Sequence, residues 1–211
     1  MEQEWIVDIA VIVVLVIGAL ILRRYVSKKR ITVKQITFVG IMSAMGTALA
    51  LATMAPIGPN INIDFSHIGT FIVAIALGPF YGMVTGALIG IYPMTVFGNP
   101  LVPVGKALTG LVIGILVTRA RLVIGVENKE KLRLLRIVPT AVVGWIPEAA
   151  IILVTLGFLG IPYFLPMPVV EGILVKGTGE IILLGILCEF LFASKALKHR
   201  LESLRDNQNL D

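Results

Sequence analysis

The stretch Pro59–Gly90, PNINIDFSHIGTFIVAIALGPFYGMVTGALIG, decides the fold. Asp64 is its one formally charged residue, and beyond His67 it is almost wholly apolar. Gly78-Pro79 punctuates the apolar run. Glycine ends a helix readily and proline opens the next, so the run reads as two helices joined by a tight turn. Gly78, Gly82, Gly86 and Gly90 recur every fourth residue and share one face of the second helix. Small residues at this spacing let two backbones approach closely, which is how helices associate in lipid, where hydrophobic drive between them is weak.

The rest of the chain agrees with a lipid setting. Of 211 residues, 57% are hydrophobic and 15% charged, and the mean hydropathy is +0.95. Soluble domains carry about 25% charged residues, so the composition predicts an all-α integral membrane protein. Collagen-like, disordered and disulfide-stapled secreted classes are excluded. Cys188 is the single cysteine, and no Cys/His cluster suggests a metal site.

The net charge of +5 does not point to nucleic acid. All but two of the 18 Lys and Arg residues fall in three patches, Arg23–Lys34, Arg119–Arg136 and Lys195–Arg205. Basic patches at the ends of apolar segments follow the positive-inside pattern. Residues 5–22 form an apolar run preceded by Glu2 and Glu4 and followed by Arg23 and Arg24. That flanking charge predicts a retained anchor helix with its N-terminus outside, and not a cleaved signal.

Six further helices are expected, at about 35–55, 64–78, 80–97, 103–119, 137–160 and 169–194. The chain thus divides into an anchor and basic linker (1–30), a six-helix membrane domain (31–195) and a cytoplasmic tail (196–211). Parity places all three basic patches on the cytoplasmic side and the C-terminus inside a multi-pass cell-membrane protein. Most of the 11 prolines then gather in or beside the outer loops 56–63, 98–102 and 161–168. Proline suits structured loops, so the outer face reads as the recognition face.

Charges within the spans are few. Between Gln35 and Thr118 they are Asp64 and Lys106, and between Ile137 and Ser194 they are Glu148, Glu171, Lys176, Glu180 and Glu189. A charge near mid-bilayer costs about 2.5–3.5 kcal/mol on insertion scales, so such residues are paired or face a wet cavity. All but Glu189 lie in the outer half or the middle of the expected spans, with Asn60, Asn62 and Asn99 in the outer loops. Lys176 and Glu180 are four apart and can share a helix face. They form either a structural salt bridge or part of a polar cavity that binds a solute. His67 reads as an interfacial histidine or a ligand-binding one. Tyr92 and Tyr163 read as belt aromatics or as stacking surfaces for a planar ring. Glu189 lies near the inner interface.

Helix 1 carries its own small stripe, Gly40, Ala44, Ala48 and Ala52. It serves either internal packing or docking of another membrane subunit, whereas the helix 3 ladder reads as internal packing. No phosphate-binding loop, HExxH or GxSxG is present, so neither ATP hydrolysis nor another enzymatic activity is expected, and no cofactor is implied.

Pro59–Gly90 resembles the substrate-binding S component of energy-coupling factor (ECF) vitamin transporters. The likeness rests on a short polar strand-like segment, Asp64-Phe65-Ser66 at the start of helix 2, Gly78-Pro79, and Gly82 with Gly86 in helix 3. Gly105–Leu116, GKALTGLVIGIL, resembles the start of helix 4 in such proteins. The likeness covers about residues 33–195, and the N-terminal helix is an addition to the usual six. It implies capture of a vitamin-like solute on the outer face, with a lid between helices 1 and 2. It implies uptake with a transmembrane T component, docked on the helix 1 stripe, and two ATPase subunits. The substrate residues it implies are Asn60, Asn62, Asp64, His67, Tyr92, Asn99, Lys106, Glu148, Glu171, Lys176 and Glu180. The Asp-Phe-Ser segment is most similar to riboflavin-type members, although Glu148 and Glu180 favour a cationic compound. The alternatives are an autonomous proton-coupled secondary transporter using Glu148 and Glu180, and, more distantly, a lipid-acting membrane enzyme.

Overall fold

The computed structural model describes residues 31–53, 56–58, 61–119 and 136–194, with a few helical positions between 13 and 20. The full anchor helix expected at 5–22, its linker, the basic loop 120–135 and the tail lie outside the described residues. Among the described residues the chain forms six helices: α1 (Val33–Thr53), α2 (His67–Leu77), α3 (Pro79–Phe97), α4 (Val102–Arg119), α5 (Ile137–Ile152) and α6 (Met167–Ala193). A π-helical stretch, Leu153–Leu159, continues α5. Between α1 and α2 two short strands, β1 (Pro56–Gly58) and β2 (Ile61–Asn62), pair antiparallel.

Three of these helical segments, Val33–Thr53, Pro79–Phe97 and Ile137–Leu159, are long and apolar enough to cross a membrane. The outer surface of the bundle is apolar: Val175, Phe158, Phe190, Phe164, Ile36 and Leu51 are all well exposed. Water would not tolerate such continuous apolar cover, whereas lipid does. Among the described residues the fold is a helical bundle with one short two-stranded ribbon, and its apolar helices fit a membrane-embedded protein.

Local chemistry explains the helix ends. Thr32 Oγ1 accepts the Gln35 N–H at 3.3 Å, and Gln35 Oε1 accepts the Thr32 N–H at 3.1 Å. This reciprocal capping box satisfies two backbone donors that α1 would otherwise leave free. The Tyr81 hydroxyl donates to the same Gln35 Oε1 at 2.6 Å, tying α3 to the start of α1. Gly78 has φ +94°, a conformation that favours glycine, and Pro79 opens α3 directly behind it. Helix α2 begins at His67, three residues later than the pattern predicts, because residues 63–65 take no regular secondary structure and Ser66 forms a turn.

The α3 ladder packs internally, on α4. A Cβ at Gly82 would sit 2.6 Å from the Gly110 carbonyl oxygen, one at Gly86 would strike the Lys106 carbonyl, and one at Gly90 would sit 2.5 Å from Pro103 Cα. Gly110 and Gly114 return the contact against Gly82 and Pro79. The two helices meet backbone to backbone, which fixes the height of Lys106 in the bundle.

Helix α1 divides differently. Its buried stripe is Gln35, Val39, Ser43, Gly46 and Ala50. Gly40, Ala44, Ala48 and Ala52 are exposed, and a Cβ at Gly40 would meet nothing within 4 Å. Among the described residues this small-residue stripe takes no part in packing the bundle. The main core lies among α2, α4, α5 and α6, with Phe71, Ile75, Ile113, Ile137, Ile181 and Leu184 fully buried.

Candidate functional site

The segment before α2, the starts of α2 and α4, the middle of α5 and the first half of α6 surround one cavity. Their placement follows from chain direction. The ends of α1 and α3 and the starts of α2, α4 and α6 meet at the same pole of the bundle: the Phe65 N–H reaches Thr53 Oγ1 at 3.4 Å, and the Tyr163 hydroxyl donates to the Phe97 carbonyl at 2.8 Å. Gly98 closes α3 in the left-handed conformation, and Asn99 Oδ1 accepts the Leu101 N–H at 3.0 Å, shaping the turn into α4.

The cavity offers about 100 Å³ to the centres of water molecules. One water needs about 10–15 Å³ of such space, so several waters or a small organic solute fit. Its polar lining comprises Asn62, Asp64, His67, Asn99, Lys106, Glu148, Lys176 and Glu180. Its apolar lining comes from Phe97, Val102, Trp145, Ile152, Leu156, Tyr163, Leu165, Ile173 and Ile181. A largely apolar pocket with a few placed polar groups is the usual build of a small-molecule site.

Two ion pairs organise the walls. Lys106, 1% exposed, donates to Asp64 Oδ2 and to Ser66 Oγ, each at 2.8 Å. Asp64 Oδ1 accepts the Ser66 N–H at 2.9 Å, so both carboxylate oxygens are engaged. The second pair is Lys176 with Glu180, 2.9 Å apart and four residues apart on α6. This pair also grips the chain entering α2. Lys176 donates to the Asn62 carbonyl at 2.7 Å, and Glu180 Oε1 accepts the Asp64 N–H at 2.7 Å.

Glu148 stands apart. It is 7% exposed, and Gly105 on α4 makes room for it: a Cβ there would fall 2.8 Å from Glu148 Cγ. Thr109 donates to Glu148 Oε2 at 2.7 Å, and His67 Nε2 lies 3.5 Å from Oε1. His67 is buried too, and its Nδ1 has no hydrogen-bond partner. Pro147, the residue before Glu148, cannot donate to the Val143 carbonyl, so the α5 ladder is interrupted beside the site.

Of the residues singled out from the sequence, Asn62, Asp64, His67, Asn99, Lys106, Glu148, Lys176 and Glu180 converge here. Asn60 lies outside the described residues. The structure does not bring Tyr92 or Glu171 to the cavity: Tyr92 is half-buried on α3, and Glu171 is exposed on α6. Both sit at helical positions that turn away from the bundle axis, which depth along the sequence could not reveal. Glu189 is more than an interfacial charge. Its Oε1 accepts the Ile137 N–H at 2.6 Å and the Arg136 N–H at 3.2 Å, satisfying the start of α5.

Sequence reasoning missed Trp145 and the aliphatic wall of α5 and α6. Trp145 packs over Gly177, where a Cβ would sit 2.7 Å from Cζ2. A tryptophan two residues before a helix-interior proline and three before a buried Glu was the available signal. Among the described residues no group of three or more His, Cys, Asp or Glu is placed to hold a metal ion. Compared with known proteins, the chain matches no family, no curated protein and no solved structure.

Proposed function

We propose that this chain is a substrate-binding S component of an ECF-type transporter, built as a six-helix domain behind an extra N-terminal transmembrane helix. It would capture a vitamin-type micronutrient from outside the cell membrane and pass it inward with a T component and two ATPase subunits. The observation that carries the reading is the cavity at one pole of the bundle, with Asn62 of β2 on its wall and both signs of charge in its lining. Two features support it. The exposed Gly40–Ala44–Ala48–Ala52 stripe is free for a dry contact with another membrane subunit. The sequence also carries no nucleotide-hydrolysing motif, so an ATP-driven transporter built on it needs separate motor subunits.

On this reading the Asn99 pole faces outward, the N-terminus is outside and the C-terminal tail is cytoplasmic, as the basic patches demand. The test is to purify the protein in mild detergent, denature it and analyse released small molecules by mass spectrometry. A near-stoichiometric micronutrient is expected. A solute-free protein that also fails to respond to a thermal-shift panel of vitamins would overturn the reading. Ala44→Leu with Ala48→Leu should spare solute binding and abolish assembly with the T component.

The pairing of His67 with buried Glu148 favours a second reading, an autonomous proton-coupled transporter. It requires solute uptake into liposomes driven by a pH gradient alone, without ATPase subunits, and lost in Glu148→Gln.

A further inference from the structure

We infer that the cavity selects a small organic cation with an aromatic or apolar body, and that Glu148 is the residue that sets this preference. The inference rests on the cavity's being a solute site, as proposed above, and adds the charge class of the solute.

A charge balance over the cavity walls carries it. Asp64, from the segment before α2, is matched by Lys106 from α4 at 2.8 Å. Glu180 is matched by Lys176 at 2.9 Å on α6 itself. Glu148, from α5, forms no ion-pair contact with either lysine, since each is in contact with another carboxylate. Its neighbours are the Thr109 hydroxyl and, at 3.5 Å, the His67 ring. The walls therefore hold three carboxylates against two lysines, with the His67 ring beside the third carboxylate.

The hydrogen-bond inventory runs the same way. A neutral imidazole that turns Nε2–H toward Glu148 presents Nδ1 as an acceptor, and this atom is buried without a partner. Glu148 Oε1 has only the long contact to His67. In that tautomer the unspent capacity in this corner is acceptor capacity beside negative charge. Buried acceptors and an uncompensated carboxylate are costly to leave unmatched. A ligand bringing a protonated nitrogen satisfies both. An uncharged flavin, the solute type suggested by the Asp-Phe-Ser segment, leaves the carboxylate uncompensated.

The remaining walls describe the rest of the ligand. Trp145 lies three residues before Glu148 on α5, and with Phe97 and Tyr163 it lines the same cavity. Aromatic faces attract cations as well as planar rings. Aliphatic side chains complete the lining, which suits an organic cation better than a hydrated inorganic one.

The test uses three probes of equal shape and different charge: benzamidinium, benzamide and benzoate. Each is titrated into the full chain in detergent, followed by thermal shift and by Trp145 fluorescence in a Trp5→Phe background. Benzamidinium is expected to bind saturably, with benzamide weaker by roughly tenfold or more and benzoate weakest, as one charge-assisted hydrogen bond would give. Glu148→Gln should bring benzamidinium to the level of benzamide. Equal binding of benzamidinium and benzamide, or preference for benzoate, overturns the cation assignment while the solute-site reading stands. A shift with Na⁺ or K⁺ but none with benzamidinium replaces the organic cation by an inorganic one. Failure of all three probes and both ions overturns the solute site and the charge class together. The wild-type comparison decides the matter even if Glu148→Gln does not fold.

Discussion

Lys106 Nζ lies 2.8 Å from Asp64 Oδ2, and this contact joins the first turns of α4 to the chain entering α2 across 42 positions of sequence. Each partner is buried, so a charge left without the other recovers only part of its solvation from the cavity. A lone charge in such a place is worth avoiding by several kcal/mol. Lys106→Met is therefore expected to destabilise the fold by about 3–5 kcal/mol. Asp64→Asn with Lys106→Met should recover much of that loss. Denaturation in detergent of both single variants and the double variant measures the coupling, and additive losses would show that the pair is not interacting.

The grip of α6 on the segment before α2 gives a local prediction. Glu180 Oε1 accepts the Asp64 N–H, and Lys176 donates to the Asn62 carbonyl. Glu180→Ala should release the Asp64 amide to fast hydrogen exchange, while amides in the core of α2, such as Phe71, stay protected. Unchanged protection at Asp64 would remove Glu180 from this role.

Two glycine substitutions should behave oppositely. Gly86→Ala forces a Cβ into the Lys106 carbonyl, so α3 and α4 must separate. Overpacking of this kind costs about 1–3 kcal/mol. Gly40→Ala meets nothing and should stay within about 0.5 kcal/mol of the parent. Thermal unfolding of the isolated chain in one detergent compares them directly, and equal losses would contradict the helix pairing.

At the opposite pole, Glu189 serves the start of α5. Glu189→Ala should cost about 0.5–2 kcal/mol and expose the Ile137 amide to exchange, as removal of a helix cap does. Glu189→Gln keeps an acceptor oxygen and should retain most of the protection. Equal exchange in the two variants would show that the side-chain oxygen is not the cap.

Much of the fold was legible in the order of residues. Apolar runs broken by Gly78-Pro79, and prolines gathered beyond Phe97 and Gly160, set helix boundaries because glycine and proline act through their own backbone geometry. The α3 ladder announced a close helix contact, since four-residue spacing puts its glycines on one face. The concentration of intramembrane charge in a few helices announced a polar interior, because lipid penalises charge wherever it occurs. Even the small stripe of α1 was visible, although not which way it turned.

What only the tertiary structure decided is who meets whom. Spacing could pair Lys176 with Glu180, four residues apart on one helix, but could not pair Lys106 with Asp64 or His67 with Glu148. Those partners lie on different elements, and their meeting depends on helix rotation and height. The backbone contact of Gly86 with Lys106 sets that height, and Gly105 opens the space that Glu148 fills. Rotation likewise turned Tyr92 and Glu171 away from the cavity and Trp145 into it. Local sequence determines where a helix begins and which residues share its faces, whereas the packing of several faces at once selects the few side chains that enclose a common space.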